Sequence, residues 1–154
     1  MVISAFGGLR HHNRISAFLL ANLSFLKGGG WEPTLEHLNV VRVDQTSAAE
    51  RRAAEFIATS FEGFGTKQSR NLLQGLGLSR YEIPIDSRIT KWLNNFGFPV
   101  RLTANALQDR NYYNFVSEGF QRLCAACDIA PCVLDAAIFA SYDKGGWTEE
   151  NVVW

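Results

Sequence analysis

Two side chains of opposite charge, a lysine and an aspartate, are spaced so that they could act together. Lys67 follows a Gly-Phe-Gly-Thr run at residues 63–66, and Asp86 comes nineteen residues after it, directly behind a Pro-Ile pair. A neutral lysine amine is a nucleophile that forms Schiff bases. An ionised carboxylate stabilises positive charge that develops on a substrate. The pair therefore predicts covalent catalysis at an electron-poor carbon.

The glycine-rich run before the lysine predicts a tight turn between two helices. Gly63 and Gly65 can adopt positive φ, Thr66 is of a type that caps helices, and residues 67–76 have a helical spacing of leucines. The amides from Gly65 onward would then be unpaired donors at a helix N-terminus, which is a binding site for an anion such as a DNA phosphate. Gly77 predicts the end of this helix.

These elements also bias the charge of each side chain. Lys67 falls in the first turn of its helix, where the positive end of the helix dipole disfavours an ammonium ion. Asp86 is expected to cap the next helix and to accept amide hydrogen bonds, which favour the carboxylate. That next helix is predicted by an apolar stripe of Ile89, Trp92, Leu93 and Phe96. By itself, Lys67 would also suit an exposed helix surface.

The segment around these residues resembles the helix–hairpin–helix DNA glycosylase superfamily, in its 8-oxoguanine DNA glycosylase branch. There the hairpin ends in Gly-x-Gly-x-Lys, and an aspartate follows after a helix and a loop, in the type, order and spacing found here. The resemblance implies an all-α fold, an orthogonal multi-helix bundle of HhH-GPD type, with residues 1–154 as a single domain. Its hairpin motif would span about 47–77, its Asp-bearing helix start 84–97, and its pocket helix and tail 131–154.

The same resemblance implies an activity and a partner. The chain would be a base-excision-repair enzyme, a bifunctional DNA N-glycosylase and β-lyase that removes 8-oxoguanine or a related modified purine from double-stranded DNA. Lys67 would form the Schiff base and Asp86 would stabilise the sugar cation. No cofactor is implied beyond a structural monovalent cation under the hairpin carbonyls. The residues expected to contact DNA are Gly63, Gly65, Thr66, Gln68, Arg70 and Arg88.

A looser resemblance lies near the C-terminus, where residues 132–139 resemble the branch's pocket helix. There a polar residue reads the guanine edge, and a Phe four residues later stacks on the base. Asp135 and Phe139 fill those places, although the family usually has Gln in the first. A carboxylate only accepts hydrogen bonds, which suits the N–H groups of the guanine edge. Trp147 and Trp154 resemble the aromatic residues that enclose the base in short archaeal-type members.

The alternatives for this region are a solvent-facing aspartate, a core phenylalanine and tryptophans that pack over a helix end. The cysteines also have two interpretations. Some helix–hairpin–helix glycosylases hold an iron–sulfur cluster with four cysteines. Cys124, Cys127 and Cys132 are one too few, and the three histidines lie far upstream. We therefore expect no metal and interpret the cysteines as small apolar residues in helix packing.

Length and composition suit one globular domain. The 154 residues are 47% hydrophobic and 12% aromatic, enough for a buried core. No apolar run reaches 18 residues and no signal peptide is recognisable, so we expect a cytoplasmic, nucleoid-associated monomer that does not bind a membrane. The net charge is zero, but six basic and three acidic side chains fall within residues 61–101. This local excess predicts a modest, salt-sensitive affinity for DNA.

The rest of the chain predicts further helices. A capping box from Ser47 to Glu50 would open the first hairpin helix, Asp109 or Asn111 would cap a long helix, and Pro131 would open the last one.

Two other functions fit the same residues. A non-catalytic helix–hairpin–helix DNA-binding module needs the glycines but neither Lys67 nor Asp86. A glycosylase for another modified base, for example a phage-type modification, would accommodate Asp135 where the family has Gln.

Overall fold

The computed structural model describes residues 12–142, which form helices joined by turns and loops. This confirms the expected all-α class. The helices are α1 (His12–Phe25), α2 (Trp31–Asp44), α3 (Ser47–Ser60), α4 (Thr66–Gly75), α5 (Ser87–Phe96), α6 (Arg110–Ala126) and α7 (Pro131–Ser141). A π-helical segment (Leu26–Gly30) with a kink at Gly29 joins α1 to α2, and a 3-10 turn (Ala106–Gln108) precedes α6.

Several helix ends follow the local chemistry predicted from the sequence. Asp86 caps α5 by accepting from the amides of Arg88 and Ile89, and Asp109 caps α6 by accepting from that of Tyr112. Gly77, at φ +70, follows α4, and its amide donates to the carbonyl of Gln74. In this position a positive φ turns the chain out of the helix, and glycine adopts it without strain.

The start of α3 differs from the prediction. Thr46 is the N-cap, and its hydroxyl accepts from the amide of Ala49, so Ser47 lies inside the helix. The expected capping box is therefore wrong. Glu50 does not turn back to the cap because its carboxylate accepts from three amides of a distant loop, described below.

The helices pack around two apolar cores. The α2–α4 core is small and rich in alanine, with Val41, Ala49, Ala53, Ala54, Ile57 and Leu73 fully buried. The α5–α7 core consists of larger side chains, among them Ile83, Ile85, Ile89, Leu93, Leu102, Tyr113, Val116, Phe120, Cys124 and Ile138. The connection from residue 78 to residue 86 links the two groups of helices, and it ends at Asp86.

Within the described residues, no single helix is long and apolar enough to cross a membrane; α6 and α7 meet the length and hydropathy criterion only as a pair bent by 96°.

Candidate functional site

The turn between α3 and α4 combines one predicted and one unexpected glycine conformation. Gly63 has φ +83, as predicted, and a Cβ there would lie 2.5 Å from the ring of Phe18 in α1. The close approach at Gly63 is therefore made by a side chain of the same chain. Gly65 has φ −92 and ψ −171, an extended conformation open to any residue, so it does not use the positive φ that glycine can adopt. Gly65, not Thr66, is the N-cap of α4.

The first turn of α4 supplies free backbone donors. Within the described residues, the first intrahelical bond of α4 runs from the amide of Ser69 to the carbonyl of Gly65, and the amides of Thr66, Lys67 and Gln68 have no protein acceptor. The space beside Gly65 is open, since a Cβ added there would have no heavy atom within 4 Å. An anion would meet both these amides and the positive end of the helix dipole.

Lys67 and Asp86 line the same cleft, which has a volume of about 1020 Å³. Lys67 enters it from the first turn of α4 and is half-buried. Asp86 enters it from the N-terminus of α5, held by the capping hydrogen bonds to its Oδ1 at 2.8 and 3.0 Å. The other oxygen, Oδ2, lies 3.1 Å from the guanidinium of Arg88. The two residues that the sequence singled out are thus brought together by helices from different cores.

The cleft carries an excess of positive charge. Its charged lining residues are three cations, Lys67, Lys91 and Arg101, and one carboxylate, Asp86. Lys91 and Arg101 are both exposed. Neutral polar side chains complete the polar lining: Thr66, Gln68, Ser87, Thr90, Asn94, Asn95 and Gln108. A cleft with this charge attracts a polyanion, and its amide groups can hydrogen-bond to either donors or acceptors.

Arg70 is not part of this surface, which corrects its prediction as a DNA contact. Its side chain is 1% exposed and pairs with the fully buried carboxylate of Glu82 at 2.6 Å. It also donates to the carbonyl of Thr66 and to Asn114. A buried charge needs such partners because desolvation without them is costly. The sequence could not reveal this burial, because Glu82 reaches Arg70 only through the fold.

The predicted base pocket is occupied in part by the chain's own side chains. The guanidinium of Arg88 lies 4.2 Å from the centre of the Phe139 ring and also contacts Asp86. A base that stacked on this face of Phe139 would have to displace Arg88. Asp135 accepts a hydrogen bond of 2.6 Å from Gln74 of α4. Neither Asp135 nor Phe139 lines the cleft that holds Lys67.

The carboxyl group of Asp135 is electrostatically perturbed. Burial raises its pKa, the hydrogen bond from Gln74 and the charge of Arg88 oppose that rise, and the nearby charge of Asp86 adds to it. Asp135, Asp86 and Arg88 therefore form one local charge group on the α7 side of α5. Of the remaining predicted pocket residues, Trp147 and Trp154 lie outside the described residues.

The cysteines show one buried and one exposed thiol. Cys124 is fully buried in the α5–α7 core, and burial raises its pKa to about 11, whereas Cys127 is exposed. In the part of the chain that the structure describes, no group of three or more His, Cys, Asp or Glu side chains is placed to hold a metal. The monovalent cation expected under the hairpin carbonyls stays a prediction.

Sequence reasoning missed several residues of the site. Lys91 and Arg101 belong to the charged lining, and Tyr113 is also among the lining residues although its side chain is fully buried. The sequence could have indicated Lys91, because it lies four residues after Ser87 and therefore on the same face of α5, next to the cap at Asp86. Arg101 lies in a loop with no periodic signal, so only the fold reveals its place.

Comparison of the chain with known proteins identifies no related protein. No protein-family model matches the chain, and searches of curated proteins and of solved structures likewise found no significant match. The site must therefore be interpreted from its own geometry.

Proposed function

We propose that this chain is a DNA glycosylase with associated β-lyase activity, which excises 8-oxoguanine or a related modified purine through a Schiff base on Lys67. The observation that supports this most is the shared cleft. The amine of Lys67, in the first turn of α4, and the carboxylate of Asp86, which caps α5, line one cavity with net positive charge. The resemblance of the hairpin segment to helix–hairpin–helix glycosylases supplies the substrate class.

The reaction uses the two side chains in separate roles. The neutral amine of Lys67 attacks the sugar C1′, the glycosidic C–N bond breaks, and the base leaves with the bonding electrons and gains a proton. Asp86 stabilises the positive charge that develops on the sugar as the base departs. The attached nitrogen then loses one proton, the C1′–O4′ bond breaks as the sugar ring opens, and the ring oxygen gains a proton, which leaves an iminium link between Nζ and C1′.

The strand is nicked by β-elimination from this intermediate. A proton leaves C2′, the C3′–O bond breaks, and the phosphate departs with its oxygen. The free amides of α4, together with Lys91 and Arg101, would hold the phosphates that flank the flipped nucleotide. These contacts are few and mostly exposed, so we expect the affinity for DNA to fall steeply with salt.

The decisive experiment is borohydride trapping, because hydride reduces the C=N bond of a Schiff base to a stable amine. Labelled duplexes would carry 8-oxoguanine opposite cytosine, an abasic site, or undamaged guanine. The proteins would be the wild type, Lys67→Gln and Lys27→Gln, whose lysine does not line the cleft. We expect an adduct on the 8-oxoguanine duplex that Lys67→Gln abolishes and Lys27→Gln retains.

Two other outcomes would redirect the proposal. An adduct on the abasic duplex alone would keep the lyase chemistry and indicate another modified base, the alternative that the sequence left open at Asp135. Intact binding with no adduct on any duplex would overturn the enzyme proposal in favour of a non-catalytic DNA-binding module. The free amides at α4 are compatible with that module, since they need neither Lys67 nor Asp86 to hold a phosphate.

A further inference from the structure

The connection that ends in Asp86 is held by side chains from several helices. Residues 78–86 form neither helix nor strand, so their backbone donors need partners elsewhere. The buried carboxylate of Glu50 in α3 accepts from the amides of Arg80, Tyr81 and Glu82 at 2.9, 2.8 and 2.7 Å. Through these hydrogen bonds, the carboxylate holds the first half of the connection against the α2–α4 helices.

The second half of the connection is held by one hydroxyl group. The hydroxyl of Tyr113 in α6 accepts from the amide of Ile85 at 2.7 Å and donates to the carbonyl of Ile83 at 3.2 Å. Tyr113 is fully buried, and burial raises its pKa, so the hydroxyl keeps its proton and both bonds at neutral pH. Ile85 directly precedes Asp86, so this hydroxyl fixes the backbone next to the carboxylate.

Arg70 joins this network to the helix that carries Lys67. Its guanidinium donates to the carbonyl of Thr66 at 2.9 Å and to the carboxylate of Glu82, and it lies over the Tyr113 ring with 4.5 Å to the centroid. Thr66 is the residue before Lys67. One buried side chain therefore contacts the start of α4, the connection and the tyrosine that holds its end.

We propose that Tyr113 and Arg70 are positioning residues that set the placement of Asp86 relative to Lys67. The inference rests on the proposed function, because the distance between the Lys67 amine and the Asp86 carboxylate matters only if both act in one reaction. A displacement of about 1 Å between reacting groups can lower a rate by about 100-fold. A network of buried, charge-assisted hydrogen bonds resists such displacement, because each broken bond leaves an unpaired group in the interior.

The test compares Tyr113→Phe with Tyr112→Phe, a change at the neighbouring position of α6. The first variant removes both hydrogen bonds to the connection and keeps the ring under Arg70. The second removes only an exposed contact of 3.4 Å to the carbonyl of Arg101. We expect Tyr113→Phe to lower single-turnover base excision about 10-fold, and Tyr112→Phe to leave it unchanged. Equal rates for the two variants would overturn the proposal.

A double-mutant cycle separates positioning from a general loss of structure. If Tyr113 acts through Asp86, its effect on base excision should disappear when Asp86 is already Asn. Persistence of the full effect in the Asp86→Asn background would show that Tyr113 does not act through the carboxylate, and would contradict the inference.

Amide hydrogen exchange tests the inference without activity. Tyr113→Phe should accelerate exchange at Ile85, Arg88 and Ile89, and leave the alanines of the α2–α4 core unaffected. If the wild type formed no adduct on any duplex, the proposed function would fail, and this exchange pattern would still show whether the hydroxyl holds Asp86. Uniform acceleration along the chain, or none, would overturn the positioning role.

Discussion

The helices that carry Lys67 and those that carry Asp86 are stabilised in different ways. The α2–α4 core contains three fully buried alanines, whereas the α5–α7 core contains isoleucines, leucines and Phe120. Alanine lets helices approach closely but buries little apolar area, and larger side chains contribute more through the hydrophobic effect. The α2–α4 helices compensate with buried polar groups, since Glu50, Ser69 and Arg70 are all at most 1% exposed.

This contrast has a consequence for the site. Lys67 is carried by helices whose order depends on directional hydrogen bonds, and Asp86 by a helix anchored in bulky apolar packing. The two meet through Glu82, which accepts from Arg51 of α3, from Arg70 of α4, and from Ser117 and Gln121 of α6. The buried polar network is thus the part of the molecule that relates one core to the other.

The largest stability effect should come from the α5–α7 core. Phe120→Ala removes a fully buried ring and should lower the free energy of unfolding by about 3–5 kcal/mol. Ala53→Gly in the α2–α4 core should lower it by only about 1 kcal/mol, because it deletes one methyl group and a helix preference. Urea denaturation of both variants measures the difference. Similar losses in the free energy of unfolding would mean that apolar packing in the two cores contributes equally to stability, which would contradict the contrast between them.

The next effect is catalytic and belongs to the α5 cap. Asp86→Asn should lower base excision by about 100- to 1000-fold, because the neutral amide no longer stabilises the sugar cation. Asn is also a good N-cap, so the unfolding midpoint should change little. Trapping on a duplex with a ready-made abasic site should fall much less, since no base has to leave. Equal losses in both assays would contradict the separate role of the carboxylate.

A smaller stability effect is expected where polar groups substitute for apolar packing. Glu50→Gln keeps the shape of the side chain but turns an amide donor toward three backbone donors. The free energy of unfolding should fall by about 1.5–3 kcal/mol, the range for hydrogen bonds to charged groups. Glu36→Gln, an exposed change on α2, serves as the matched control in the same denaturation experiment. A neutral result at Glu50 would show that the connection is held by other contacts.

The smallest effect concerns pH and the carboxyl group of Asp135. Its pKa is raised from 3.8 in the folded chain, chiefly by burial. The folded state then binds this proton more tightly than the unfolded state does, so the carboxyl costs stability as pH rises through its folded pKa. Asp135→Asn removes this titration while an amide oxygen can still accept from Gln74. We therefore compare the melting temperature of the variant with that of the wild type at each pH. The difference should be more favourable to the variant at pH 7 than at pH 4.

An exposed change that removes no ionisable group provides the control for this pH dependence. Asn39→Gln, on the surface of α2, should show the same difference from the wild type at both pH values. If Asp135→Asn also showed no change between pH 4 and pH 7, the raised pKa would be contradicted.

What the sequence by itself determined is the local structure. The caps at Asp86 and Asp109, the exit from α4 at Gly77 and the start of α7 at Pro131 all depend on residues within a few positions of each other. Periodicity likewise revealed the all-α class, because an apolar stripe reports the face that a helix buries. The position of Lys67 in the first turn of α4 follows from the same short-range rules.

Only the tertiary structure decided which charged side chains are available to a ligand. The sequence predicted DNA contacts for both Arg70 and Arg88, but Arg70 is buried against Glu82, whereas Arg88 contacts Asp86 and Phe139 and keeps 42% of its side chain exposed. Lys91 and Arg101 instead line the cleft. A helix cap depends only on residues of its own helix. Whether a charged side chain is buried or exposed depends instead on which partners the fold brings within hydrogen-bonding distance.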